Sequence, residues 1–230
     1  MTLKGLRRKK RAYRHIELID YLKTGKSSIW GLEDPKTVEV IKAFRPRGAW
    51  IHLAAGDGRY NALLLETVDS LIASDIDPSA LKKSRRNVSR KYKEKFSTRI
   101  FDVTLRFPVA TNSADGIFCV GTLHIFPLYI LKRIAVEIER VLKPKGIVFI
   151  DFGTDIRRER FDGKPYIISG ENAYTNVSAE RMLRRLFRGY VIRFWRSRIP
   201  RESYPKANPP YHYESKYIIM RAIKPDQKMK

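Results

Sequence analysis

The stretch AWIHLAAGDGRY (49–60) joins a short apolar run to two glycines one residue apart. The apolar run suits a strand buried on both faces, and Gly56 and Gly58 allow a sharp turn with close approach of the backbone to a ligand. Its neighbours decide whether this is a chance turn. Upstream, DPKTVEVIKAF (34–44) offers Asp34 as N-cap, Pro35 at the first helical position and Val38, Ile41 and Phe44 at helical spacing. Downstream, NALLLETV (61–68) reads as a helix and LIAS (71–74) as a strand. DPSALKKSRRNVSRKYKEK (77–95) repeats the Asp-Pro start and predicts a long basic helix, and RIFDV (99–103) and DGIFCV (115–120) are the next strands.

LYILKRIAVEIERVL (128–142) places Leu131, Ile134, Ile138 and Val141 on one face before Lys143-Pro144-Lys145-Gly146 stops it. GIVFIDF (146–152) is a fifth apolar run. A helix near 178–188 follows, then YVIRFWR (190–196) and SKYIIMRAI (215–223), which read as a closing antiparallel hairpin. Apolar strands alternating with helices imply an α/β fold, a mostly parallel sheet covered on both faces.

Composition narrows the class. A chain of 230 residues with 43% hydrophobic content is expected to form one domain, with 1–30 as a basic arm and 31–230 as the folded unit. One cysteine, Cys119, excludes a disulfide framework, and no metal site is expected. No apolar stretch approaches the roughly 20 residues of a membrane span, and the basic start MTLKGLRRKKRAYRH lacks the apolar core of a secretory signal, so a cytoplasmic protein without a membrane partner is expected. The net charge of +23 points to an anionic partner, RNA first. A single glutamine and 31% charged residues also fit a thermophile, but 47 Lys and Arg against 24 Asp and Glu leave about half the cations without a partner.

An open parallel sheet binds ligands beyond the carboxyl ends of its strands. Gly56 and Gly58 follow the first strand, Asp75 ends the second, and Asp102 with Val103 ends the third. A carboxylate at Asp75 suits the two hydroxyls of a ribose, and Asp102 beside an apolar contact suits an adenine.

These stretches resemble class I S-adenosylmethionine-dependent methyltransferases of the type 11 kind, whose motifs run VLDLGCGxG, GxDxxPxML, an acid, and LPFxDxSFDxV. WIHLAAGDG (50–58), IASDIDPSAL (72–81), FDVTLRFPVATNSADGIFCVGTLHIFP (101–127) and VLKPKGIVFIDF (141–152) match in order, over roughly 45 to 155. The resemblance implies a Rossmann-like seven-stranded sheet with one antiparallel strand, and S-adenosylmethionine as cofactor. It assigns the loop of Ala54, Gly56, Asp57 and Gly58 to the methionine part, Asp75 to the ribose, Ile76 to packing on adenine, Asp102 and Val103 to reading it, and Val120-Gly121 to the border of the transferred methyl. Two departures stand out: His52 replaces the usual acid, and Ala54 replaces the first glycine. Both are expected to lower cofactor affinity or shift its pose.

Other readings of the loop fit less well. Dinucleotide binding wants G-x-G-x-x-G, and the third glycine position from Gly56 is Asn61. Aminopropyl transferases carry a similar GDG, but their acidic stretch after the fourth strand is here VGTLHIFP (120–127). The quartet Asn208-Pro209-Pro210-Tyr211 is the signature of enzymes that methylate exocyclic amino groups, where it follows the fourth strand. Here Gly121-Thr122-Leu123-His124 holds that place, so the quartet is expected to be a proline-stiffened connection between the last two strands, with Tyr211 as a pocket-wall candidate.

On the acceptor side, His124 and Asp151 are the candidate bases, although His124 equally suits packing. The segment 153–176 is expected to form a substrate lid, with Phe161, Tyr166 and Tyr174 available to stack on a base. The reading is a methyltransferase acting on RNA such as tRNA or rRNA. The alternatives are a small-molecule methyltransferase with an incidentally basic surface, and an RNA-binding protein with a degenerate methyltransferase fold.

Overall fold

In a computed structural model the described residues are 21–167, 173–205 and 209–226. Seven strands form one sheet: β1 Ala49–His52, β2 Ser70–Asp75, β3 Phe96–Ile100, β4 Ala114–Cys119, β5 Leu142–Arg160, β6 Val191–Tyr204 and β7 Tyr211–Ile223. Their order is β3-β2-β1-β4-β5-β7-β6, with β7 antiparallel to both neighbours and the β1 to β5 pairings parallel. This is the expected seven-stranded Rossmann-like sheet, and its order reverses at β1, so the carboxyl ends of β1, β2, β4 and β5 share one edge.

Five helices cover the faces: α1 Pro35–Phe44, α2 Asn61–Leu65, α3 Pro78–Asn87, α4 Leu128–Val141 and α5 Asn176–Leu186. Both Asp-Pro starts cap as read, because the Asp34 carboxylate accepts from Thr37 N–H and that of Asp77 from Ser79 N–H. The alternation along each strand splits the core in two. Ile51, Ile117, Val148 and Ile150 face α4 and α5, while Trp50, Phe118 and Phe149 face α1 and α2. On the second side the Phe118 and Phe149 rings stack at 5.1 Å. Among the described residues no helix is long and apolar enough to cross a membrane.

Three sequence expectations are corrected. The third strand is Phe96–Ile100, not 99–103. Asp102 folds its own backbone into a turn, its Oδ1 accepting from Thr104 N–H at 2.8 Å and Thr104 Oγ1 at 2.7 Å, so pairing with β2 stops at Ile100. The basic helix of 77–95 ends at Asn87, because Val88 turns extended and buries its side chain in the second cluster, and Arg90–Lys95 is a separate 3-10 turn. The fifth strand does not end at Phe152; it continues to Arg160, held by β7 as far as Tyr211. The first third of the expected lid, 153–160, is therefore strand.

Gly116 on β4 exists because of Trp50 on β1. A Cβ at this position would lie 2.1 Å from the indole Cε2 of Trp50. Gly116→Ala is expected to destabilise the fold by about 1–3 kcal/mol through overpacking, measured as a lowered urea midpoint. An unchanged midpoint would show that Trp50 repacks freely.

Candidate functional site

The chain leaves β1 by threading between two strands: Leu53 N–H donates to Phe118 O at 2.8 Å and Ala55 N–H to Ser74 O at 2.7 Å. It then turns back through Ala54 (φ 49°), Gly56 (φ 54°) and Gly58 (φ 84°). Ala54 thus adopts a left-handed conformation that costs a Cβ-bearing residue about 1–2 kcal/mol. A Cβ on Gly58 would meet Asn61 Nδ2 at 2.4 Å and Ser84 Oγ at 2.6 Å, so this turn needs glycine for space as well as for φ.

Asp75 at the end of β2 reaches this loop. Its Oδ2 accepts from Gly56 N–H at 2.8 Å and its Oδ1 from Asp77 N–H at 2.9 Å. Burial raises its pKa, and those two N–H groups oppose the rise. The carboxylate is thereby aimed, with lone pairs left for two hydroxyls. Ile76 follows it, half-buried. Asp102 is oriented by Thr104 through Oδ1, which leaves Oδ2 uncommitted beside the buried Val103. The loop, Asp75 and Asp102 therefore stand at the carboxyl ends of β1, β2 and β3, and these residue types fit the amino-acid part, ribose and adenine of S-adenosylmethionine.

His52 lies under the loop, 2% exposed, with Nδ1 at 2.8 Å from Asn61 Oδ1. Asn61 Nδ2 donates onward to Ser84 Oγ at 2.8 Å, so Asn61 Oδ1 is the acceptor and Nδ1 of His52 carries the proton. Burial pushes the His52 pKa down to about 4, which keeps the ring neutral. Where the resembling family usually has an acid, the structure has a neutral histidine that fastens β1, through Asn61, to α2 and α3.

Asp57 has a fate that the sequence did not reveal. Its side chain is fully buried and pairs with Lys83 of α3 at 2.9 Å, and it also accepts from Ser28 Oγ at 2.8 Å and Ile29 N–H at 3.0 Å. Lys83 Nζ donates further to Thr24 Oγ1 at 2.7 Å and Ser27 O at 2.8 Å. Residues 21–30, expected as part of a separate arm, are thus strapped across the glycine loop; 1–20 lie outside the described residues. Arg59 adds a bond to Trp30 O at 2.6 Å. The strap brings the Trp30 indole over the loop, its Nε1 lying 3.1 Å from where a Gly56 Cβ would stand. Tyr21 is buried, and after burial the charge of Asp75 is the next cause holding its phenol above the ordinary range. Tyr21, Trp30 and Lys83 therefore belong to the site's wall, and none carries a sequence motif.

At the acceptor side β4 ends on Cys119, followed by buried Val120 and exposed Gly121 (φ 70°). Gly121 N–H donates to Asp151 Oδ1 at 2.6 Å, joining the ends of β4 and β5. Burial pushes the Asp151 carboxyl up to about 6, against the opposing pull of the Gly121 N–H and the Arg59 guanidinium. His124 sits in the turn Leu123–Ile125, its ring edge-on to Phe152 at 6.3 Å, and a Cβ on Gly153 would stand 3.1 Å from its Cγ. Tyr174 joins the same edge, T-shaped on Phe152 at 5.2 Å, its carbonyl accepting from Asp155 N–H at 2.7 Å. It lines a cavity of about 680 Å³ that opens along β5, with Arg157, Arg158, Tyr166, Arg201 and Tyr213.

Tyr211 is not brought to this group. It opens β7 opposite Arg160, stacked on Tyr204 at 5.2 Å and tilted against Tyr166 at 5.2 Å. It stands eight residues, about 26 Å, along β7 from Ile219, the partner of Asp151. Pro209 and Pro210 lie in the connection between β6 and β7, as read, whereas Tyr211 is already strand and Asn208 lies outside the described residues.

Residues 51–150 match the family model described as Methyltransferase domain. No curated protein matches the sequence. Among solved structures, DhpI in complex with S-adenosylhomocysteine aligns at 18% identity over 84% of either chain, with a TM-score of 0.56. An S-adenosylmethionine-dependent methyltransferase from Methanosarcina mazei aligns at 15% over 85% of this chain and 100% of its own, with a TM-score of 0.61. Phosphoethanolamine N-methyltransferase 2 of Haemonchus contortus, complexed with S-adenosylmethionine, aligns at 12% over 83% of this chain and 52% of its own, at 0.55. At these identities the likeness is one of fold.

Removing one partner of the buried pair leaves an uncompensated charge. Lys83→Met is expected to lose about 3–5 kcal/mol of stability, and the double variant Lys83→Met with Asp57→Leu to recover part of it. Chemical denaturation measures both; a double variant no more stable than the single would mean that the two side chains are not coupled. Independently, Asp75→Ala is expected to weaken S-adenosylmethionine binding at least tenfold by calorimetry, with little change in the unfolding midpoint.

Proposed function

We propose that this S-adenosylmethionine-dependent methyltransferase of the class I fold acts on RNA. The observation that carries the reading is the composition of the cavity beside the methyl-transfer edge. Tyr166, Tyr174 and Tyr213 offer ring faces in one space of about 680 Å³, with Arg158 over the Tyr213 ring and Arg157 and Arg201, each paired with a glutamate, beside them. Aromatic faces suit an unstacked base, at about 1–3 kcal/mol for each stack formed. The net charge of +23 supports the same partner.

S-adenosylmethionine supplies a methyl group already activated on a sulfonium, so positioning can provide much of the rate. In this chain the backbone at Gly56 and Gly58, with the strap behind it, would receive the amino-acid part. Asp75 would hold the ribose hydroxyls, and Asp102 with Val103 the adenine. At the other end of the edge, Asp151 is held at Oδ1 by Gly121, which leaves Oδ2 for an acceptor's proton. With its carboxyl near 6, Asp151 is ionised and able to accept a proton at neutral pH. His124, packed against Phe152 and Gly153, contributes the wall beside it.

Two measurements test this. Labelled methyl from S-adenosylmethionine, offered to an extract of a host strain lacking the protein, is expected to enter nuclease-sensitive, RNA-sized material. Label that survives nuclease would replace RNA with a small-molecule or protein acceptor.

The second is pH dependence. A carboxyl whose folded-state pKa is raised favours its protonated form. Its ionisation penalty is absent below the ordinary carboxylate range, grows as pH rises to about 6, and is constant above. Asp151→Asn is therefore expected to gain about 1–3 kcal/mol of stability at pH 8 and none at pH 3. Its methyl transfer should fall and lose the wild type's rise through pH 6; an unchanged pH–rate profile would remove Asp151 from proton transfer.

A further inference from the structure

The excess charge is not spread evenly in its pairing. Along the β5–β7–β6 extension four cations are matched, Arg157 with Glu214 at 3.7 Å, Arg160 with Asp162 at 3.4 Å, Arg201 with Glu159 at 2.8 Å and Lys216 with Asp155 at 3.5 Å, while Arg193 and Arg198 of β6 are exposed and form no ion pair among the described residues. The opposite edge of the sheet differs. From 78 to 99 the chain has nine Lys and Arg and one acid, Glu94. Lys83 is buried with Asp57, but Lys82, Arg85, Arg86, Arg90, Lys93 and Arg99 are exposed. Among the described residues none of these six forms an ion pair. Arg85 donates to Thr98 Oγ1 and Arg99 to Pro108 O, neutral partners that fix the guanidinium groups without cancelling their charge.

This arrangement opposes folding. Lys82 and Arg86 stand four apart on α3, a like-charge spacing that weakens a helix. Heat-adapted networks interleave acids with bases, as the β5–β7–β6 extension does. A surface that concentrates uncompensated cations on a helix, the turn after it and an edge strand calls for an anionic partner. Its position indicates what kind. β3 and β5 are separated by four strand spacings, about 19 Å, so a molecule touching both this edge and the cavity on β5 extends well beyond one nucleotide.

We propose that the outer surface of α3, the Arg90–Lys95 turn and β3 docks the sugar-phosphate backbone of the RNA substrate, holding its body while the acceptor nucleotide reaches the β5 edge. The proposal rests on the RNA reading above. α3 begins three residues after Asp75, and the strap of residues 24–29 binds its inner side, through Lys83 and through Asn87 Nδ2 to Lys26 O at 3.0 Å. The outer side is left to the backbone. Tyr92, with Lys91 at 4.5 Å and Lys95 at 5.1 Å over its ring, stiffens the turn between helix and strand.

The test uses the full chain and the small-RNA fraction of the strain lacking the protein. The triple variant Lys82→Ala, Arg86→Ala, Arg90→Ala is compared with wild type and with Arg184→Ala, Arg185→Ala, Arg188→Ala on and after α5. Calorimetric S-adenosylmethionine affinity, expected unchanged in both, confirms folding. The α3 variant is expected to lose roughly tenfold or more in RNA affinity at 0.15 M salt, and to flatten the slope of log affinity against log salt by about 2–3. Its KM for RNA should rise with kcat little changed, and the α5 variant should match wild type. An α3 variant with wild-type affinity, slope and KM overturns the docking surface and leaves the RNA reading intact. A wild type that neither binds nor labels RNA overturns both. Binding to vesicles of anionic lipid in place of RNA would assign this surface to a membrane and overturn the proposal.

Discussion

A carboxylate sealed inside a protein must find a counter-charge, and Asp57 imposes that demand on the site. Its oxygens are satisfied by Lys83, Ser28 and Ile29, and the ammonium of Lys83 spends its donors on Asp57, Thr24 and Ser27. Asp57 belongs to the glycine loop, Lys83 to α3, and the other partners to the strap, so one ion pair fixes three segments at one point. A buried pair of this kind adds little net stability over apolar packing, and its effect is on which arrangement is populated. The arrangement it selects is the one in which Gly56 N–H meets Asp75 and Trp30 closes over the loop. The neutral chain His52–Asn61–Ser84 holds the same loop from below. With the loop fastened from both sides, an alanine at position 54 is tolerated despite its left-handed backbone.

How much of this was legible depended on whether the cause was local. Asp34-Pro35 and Asp77-Pro78 announce helix starts through caps acting within three residues, and both form. The place of Asp75 at the end of β2 was readable because the apolar run LIAS ahead of it marks the strand. Lys83 was not, being one of nine cations in a basic stretch, and only the arrival of α3 beside Asp57 singles it out. His52 read as the loss of an acid because its partner Asn61, and Ser84 beyond that, are nine and 32 positions away. The third strand was placed too late because Phe101 and Val103 are apolar, yet Asp102 bends the backbone between them. Residues 153–160 read as part of a lid because 153–176 mixes aromatics, charges and glycines where related chains build one; their strand pairing is with 211–217, beyond any local signal.

The same distinction separates the two aromatic groups. Tyr174 was expected at the substrate side, and its ring does pack on Phe152 beside His124 and Asp151. Tyr211 was drawn in by a motif whose chemistry needs a place after β4. The topology puts it at the far end of β7, where Tyr204 and Tyr166 cover it. A four-letter signature has meaning only through the strand that it follows, and here that strand is β6.

The electrostatics of the site run against those of the molecule. In a chain of net charge +23, burial raises the pKa of both Asp75 and Asp151, and both act on Cys119, which lies between them at the end of β4. Two carboxylates reluctant to ionise are each stabilised by a nearby cation, and S-adenosylmethionine brings one in its sulfonium. The product left after transfer has lost that charge, so the same carboxylates favour reactant over product in binding. They also repel phosphate.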